Sequence, residues 1–196
     1  MECENNNDIK GIYRSIETQQ FNINESELPT PSDEQNEIIL NFKQGYNIKI
    51  EAVAGAGKTT TLLHLAKVAS NNFGVKSTIL TYNKGLQVEI KKMIDACGLK
   101  DVCYVYTYHG YASKIYGKSI NNDKILRQNL QYEPVLNSKI PILLLDEVQD
   151  INEDYHLLVT KILYQGQMLV LVGDRHQCIN EYIGASDKYL VEYDKY

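Results

Sequence analysis

Lys58 and Thr59 directly follow the glycines Gly55 and Gly57, and far downstream Asp146 and Glu147 stand side by side behind an apolar run. An ammonium, a hydroxyl and paired carboxylates in that arrangement are the parts of a site for a metal-bound triphosphate. In Ala52-Val53-Ala54-Gly55-Ala56-Gly57-Lys58-Thr59 the glycines leave room for consecutive N–H groups to turn inward on phosphate oxygens. A helix beginning there points the positive end of its dipole at the same anion. Lys58 adds a point charge within reach of the β- and γ-phosphates, and the Thr59 hydroxyl is the natural Mg²⁺ ligand. The expected cradle is therefore Ala54, Gly55, Ala56, Gly57, Lys58, Thr59 and Thr60. The full phosphate-loop pattern asks for a glycine where this chain has Ala52. A glycine-rich turn that binds nothing is the bland alternative, and the order strand, loop, Lys-Thr, helix speaks against it.

The apolar run Ile140 to Leu145 ends in Asp146-Glu147-Val148-Gln149-Asp150. Asp146 can hold Mg²⁺, often through water, and Glu147 can polarise an attacking water. Taken alone the pair would be surface charge; behind a phosphate loop it is a catalytic candidate. Gln35, shortly upstream of the loop, carries an amide able to read both the donor and the acceptor on an adenine edge, though an isolated glutamine is usually solvated surface. Gln177 follows a second apolar run, Met168 to Val172, and the polar stretch Gly173-Asp174, where it can sense a γ-phosphate by hydrogen bonding.

Positioning these groups on one rim requires a parallel sheet. Apolar strands are expected over Tyr46 to Val53, Ser77 to Tyr82, Val102 to Tyr106, Ile140 to Leu145 and Met168 to Val172. Helices are expected from about Pro31, over Thr60 to Ser70, Leu86 to Ala96 and Asp154 to Tyr164, with a weakly helical polar stretch from Asn121 to Lys139. Alternating in this order, they imply an α/β domain with helices on both faces and its ligands at the strands' carboxyl ends. The polar and aromatic stretch Thr107-Tyr108-His109-Gly110-Tyr111-Ala112 falls at such an end.

The 196 residues suffice for one α/β domain with a short appendage. Residues 1–28 read as a loosely ordered polar arm, 29–185 as the domain and 186–196 as a tail. A net charge of −5 means that any nucleic-acid binding must come from a local surface. Cys3, Cys97, Cys103 and Cys178 show neither zinc nor disulfide spacing. With no leader-like N-terminus and no run long enough to cross a bilayer, the expectation is a soluble intracellular protein.

Taken together these stretches resemble superfamily 1 DNA helicases of the UvrD/Rep kind, near the F-box DNA helicase branch. Gln35 is similar to that family's adenine-reading glutamine, and Ala52 to Thr59 to its phosphate loop, where alanine at the first position is usual. Thr81-Tyr82-Asn83-Lys84 resembles its segment touching single-stranded DNA, and Thr107 to Ala112 its Thr-Phe-His-Ser-aliphatic-Ala element near the DNA path. Asp146 to Asp150 is similar to its Asp-Glu-x-Gln-Asp, and Gly173-Asp174-x-x-Gln177-x-Ile179 to its γ-phosphate sensor. The resemblance implies a RecA-like ATP-binding motor domain with ATP and Mg²⁺ as cofactors and single-stranded DNA as partner. Its implied nucleic-acid contacts are Tyr82, Asn83, Lys84, Thr107, Tyr108, His109 and Tyr182. It also implies a second motor domain supplying arginines to the γ-phosphate, and the expectation is that this domain is missing after Tyr196, the chain being either a fragment of a longer one or a truncated product. The chain departs from the pattern at Asn180 and Ile183, where an aromatic ring and an arginine are usual. That departure leaves open a different class, a nucleotide-gated binding module or regulator of a complete helicase, without productive turnover. A small-molecule kinase would leave Gln35 and Gln149 unexplained.

Overall fold

The computed structural model describes residues 28–136, 139–174 and 176. The chain alternates helix and strand: α1 (Asp33–Lys43), β1 (Ile48–Glu51), α2 (Lys58–Phe73), β2 (Ser77–Thr81), α3 (Lys84–Ala96), β3 (Cys103–Thr107), α4 (Tyr108–Tyr116), α5 (Asp123–Asn129), β4 (Ile142–Leu145), a single 3₁₀ turn (Val148–Asp150), α6 (Glu153–Ile162) and β5 (Met168–Gly173). The five strands form one sheet in the order β1-β5-β4-β2-β3, and every pairing is parallel. Ile142-Leu143-Leu144-Leu145 and all six residues of β5 are buried, as strands covered on both faces must be. β1 alternates buried and exposed residues, and β3 is partly exposed, as befits the two edges.

Helices α1, α2 and α3 cover one face through Ile39 and Phe42, Leu62 and Leu65, and Ile90 and Ile94. Helices α4, α5 and α6 cover the other through Tyr111 and Ile115, Leu126, and Leu158 and Val159. Most helices start where a side chain accepts from an otherwise unpaired first-turn N–H: Ser32 for α1, Asn83 for α3, Thr107 for α4, Asn122 for α5 and Asn152 for α6. Helix α2 differs, for it starts at Gly57 in the left-handed conformation with no side-chain cap, and so leaves its leading N–H groups open.

The expected elements are present with shifted ends. Helix α2 begins two residues earlier than expected and runs on through Asn71-Asn72-Phe73 until Gly74, at φ 65°, supplies the left-handed stop. Helix α3 begins at Lys84, directly behind its Asn83 cap. Strand β3 is displaced by one residue to Cys103–Thr107. The weakly helical stretch narrows to Asp123–Asn129. Cys97 and Cys103 are buried free thiols, while the polar arm, Cys3, Cys178 and the tail lie outside the described residues. Among the described residues no helix is long and apolar enough to cross a membrane.

Candidate functional site

The loop leaving β1 and the acidic turn leaving β4 emerge on either side of β5, at the same carboxyl rim of the sheet. Ala52 N–H donates to Gly173 O at 3.0 Å, which ties the loop's base to the end of β5. The turn closes through Ala56 N–H to Val53 O at 3.2 Å. Gly55 and Gly57 hold φ of 77° and 79°. At Gly57 space is restricted as well, since an added Cβ would lie 3.1 Å from Gln35 Nε2. Residues 53–56 are exposed, Thr59 and Thr60 are half-buried, and Lys58 is buried at 8 % exposure.

Lys58 meets the acidic turn directly. Its Nζ lies 3.2 Å from Glu147 Oε2. Gln149 Nε2 donates to the same oxygen at 2.8 Å, and Gln149 Oε1 accepts from Asp174 N–H at 3.0 Å. Glu147 is thus strung between the loop's lysine and, through Gln149, the end of β5. Its backbone sits at φ 51°, the only non-glycine with positive φ among the described residues. A left-handed L-residue costs roughly 1–2 kcal/mol.

Asp146 lies beneath, 1 % exposed. Its Oδ1 accepts from Glu147 N–H at 3.1 Å, while its Oδ2 is buried with no hydrogen-bond partner. Burial first, and then the charge of Glu147, push its pKa up to about 7, against the opposing pull of the Glu147 N–H and Lys58. A buried carboxylate oxygen lacking a partner is a group built to receive one. A divalent cation shared with the hydroxyl of Thr59, the second residue of α2, fits this donor set of hard oxygens. Uncapped N–H groups at the start of α2, the exposed loop and Lys58 fit a polyphosphate. A cavity of about 210 Å³, lined by Glu51, Ala52, Val53, Asp174 and His176, opens beside the loop.

Gln35 is better fastened than its sequence context suggests. Its Oε1 accepts from Ser32 N–H at 3.0 Å and completes a capping box for α1. Its Nε2 donates to Thr61 Oγ1 at 2.8 Å and to Gly57 O at 3.4 Å, so the amide is held against the start of α2. The motif Ser32-x-x-Gln35 carried this capping signal in plain view.

The residues expected to touch nucleic acid gather at the carboxyl ends of β2 and β3, but several have local duties. Tyr82 is half-buried, edge-on to Tyr155 with ring centres 6.2 Å apart, and Lys84 Nζ donates to Gln87 Oε1 at 2.7 Å. Asn83 and Thr107 spend their side chains capping α3 and α4. His109 Nε2 lies 2.9 Å from Asp123 Oδ1. Tyr108 is 1 % exposed and stacked on Tyr155 at 4.7 Å, so its ring belongs to the core. Exposed Asn83 and Lys84 and half-buried Tyr82 and His109 form the accessible part of this group. Gln177 and Tyr182, with Asn180 and Ile183, lie outside the described residues.

The fold is that of an α/β phosphate-loop NTPase, a five-stranded parallel sheet flanked by helices. Residues 35–183 match the family model described as an AAA domain. No curated protein matches the chain. Among solved structures, the UvsW helicase from bacteriophage T4 is similar at 13 % identity with a TM-score of 0.53, covering 91 % of this chain and 64 % of that one. The SWI2/SNF2 ATPase core of Sulfolobus solfataricus, solved in complex with double-stranded DNA, is similar at 13 % identity with a TM-score of 0.52, over 81 % of this chain and 34 % of that one. The chain thus spans less than two thirds of either structure.

Proposed function

The chain belongs to the AAA domain family, and on that footing we propose that it is an ATP-hydrolysing motor domain of a superfamily 1, UvrD/Rep-like DNA helicase that works on single-stranded DNA. The observation that carries this reading is the 3.2 Å approach of Lys58 Nζ to Glu147 Oε2, which brings phosphate loop and acidic turn to one point. In this reading residues 54–60 cradle the phosphates of ATP, and the Gln35 amide exchanges its bonds to Ser32 N–H and Thr61 for the adenine edge. Thr59 and Asp146 hold Mg²⁺, which neutralises charge on the phosphate oxygens. Lys58 adds its own positive charge there, and Glu147, released from Lys58, accepts a proton from the attacking water. Gln149 keeps Glu147 aimed during that exchange. Gln177 is the proposed γ-phosphate sensor.

Tyr82, Lys84 and His109, with Asn83, Thr107, Tyr108 and Tyr182 in supporting places, are the proposed nucleic-acid side. A complete motor on this plan needs a second RecA-like domain to supply arginines, in the same chain or in trans, and DNA repair, recombination or replication are its expected settings. The departures at Asn180 and Ile183 favour a second reading, a nucleotide-gated nucleic-acid-binding module or regulator without productive turnover. Single-turnover ATP hydrolysis with and without oligo-dT separates the two. The motor reading expects turnover stimulated by oligo-dT and reduced at least about a hundredfold in Glu147→Gln, with ATP still bound. Binding with no turnover in the unaltered chain would overturn it.

A further inference from the structure

At the opposite end of the strands from the phosphate loop, on the face covered by α4, a cavity of about 300 Å³ opens beside edge strand β3. Its floor is aliphatic: Val75, Ile115, Leu136, Ile140 and Pro141 line it, with Val75 and Ile115 buried and Leu136 standing 42 % exposed at the mouth. Its rim is basic. Lys76, Lys114 and Lys139 are all exposed, and the lining includes no carboxylate.

The lysines are held in place by neutral rings. Lys76 Nζ donates to Tyr104 Oη at 2.9 Å, Lys114 Nζ donates to Tyr106 Oη at 3.1 Å, and Lys139 Nζ lies 4.7 Å from the centre of the Tyr164 ring. Among the described residues none of the three forms an ion pair. Tyrosines fix the ammonium groups without neutralising them. In a chain of net charge −5, three uncompensated positive charges around one apolar hollow are a local reversal of sign.

We propose that this cavity docks an acidic peptide segment of a partner protein, with one apolar side chain seated on the aliphatic floor and flanking carboxylates paired to Lys76, Lys114 and Lys139. The volume suits a single large side chain. Single-stranded nucleic acid would meet the same charges but would need open ring faces on which to stack bases. Here the rings are engaged by lysines: Lys76 lies 5.4 Å over Tyr104, and Lys114 lies 4.8 Å over Tyr106 and 6.0 Å over Tyr111. An aliphatic hollow with a basic border selects an acidic, apolar-anchored peptide. Because it lies at the far end of the sheet from Lys58, the surface can be occupied while nucleotide is bound.

The test uses the full chain and a fluorescein-labelled peptide, Asp-Glu-Glu-Leu-Phe-Glu-Asp-Asp, read by fluorescence anisotropy. Controls replace Leu-Phe by Ser-Ser, or every acid by lysine, and oligo-dT serves as competitor. The proposal expects the acidic apolar peptide alone to bind, with affinity falling as salt rises. It also expects a loss of about tenfold or more both in Lys76→Glu/Lys114→Glu/Lys139→Glu and in Leu136→Asp. All four positions are exposed, and both variants should keep the parent melting temperature and ATP binding. If charge reversal unfolds the chain, the triple Lys→Gln variant replaces it with the same expected loss. Binding no tighter than the lysine control, unchanged binding in either variant, or displacement of the peptide by oligo-dT would each overturn the proposal.

Discussion

At the scale of single residues, Asp146 carries the most informative chemistry. Folding places its carboxyl where burial and Glu147 push the pKa up to about 7, whereas an unfolded aspartate titrates near its ordinary value of about 3.9. In metal-free protein the folded state therefore binds more protons than the unfolded state between those values. The stabilising contribution is full below the unfolded pKa and is lost as pH rises through about 7. Denaturation of metal-free protein followed across that range should show stability falling with rising pH, and Asp146→Asn should flatten the slope. An unchanged slope in the variant would place the titration elsewhere. The residue types at this site were legible from the sequence; their states were not. Nothing in Asp146-Glu147 announces a left-handed Glu147, because that backbone is imposed by tertiary contacts: Lys58 at 3.2 Å and Gln149 at 2.8 Å hold the carboxylate where the turn must put it.

At the scale of elements, the central strands were the most readable parts, since Ile142–Leu145 and Met168–Gly173 are buried on both faces and show as unbroken apolar runs. Strand β3 runs one residue later than the apolar pattern predicts because it is an edge, where burial is partial, and its last residue, Thr107, both pairs with Thr81 and caps the next helix. Caps also explain why the likeness of Tyr82-Asn83-Lys84 and Thr107-Tyr108-His109 to nucleic-acid contacts overlaps with plain structural duty. Asn83 accepts from Leu86 N–H at 2.9 Å at the start of α3. Its replacement by alanine should cost about 1 kcal/mol through the lost cap. For a chain of this size that lowers the melting temperature by roughly 2–4 °C. Scanning calorimetry beside oligo-dT binding separates the roles. Loss of stability with binding unaltered would leave Asn83 a cap alone, and loss of binding well beyond that of a destabilised control would make it a contact.

At the scale of the whole molecule, the order β1-β5-β4-β2-β3 puts β5 between the strands that deliver the phosphate loop and the acidic turn. That interleaving is a long-range property. The sequence shows it only indirectly, through apolar runs short enough to be central strands, each ending in polar groups. It makes the two distant stretches neighbours across one strand, with Asp174 N–H and Gln149 stitching the gap at 3.0 Å. The central claim is that Lys58, Thr59 and Asp146 converge on one metal–triphosphate. Isothermal titration of the full chain with ATP, with and without Mg²⁺, tests it most directly, set beside Lys58→Ala and Asp146→Asn. The account predicts binding that needs Mg²⁺, weakens at least about tenfold in Lys58→Ala, and loses its metal dependence in Asp146→Asn. ATP binding equal in the unaltered chain and in Lys58→Ala, or no binding with Mg²⁺ present, would contradict it.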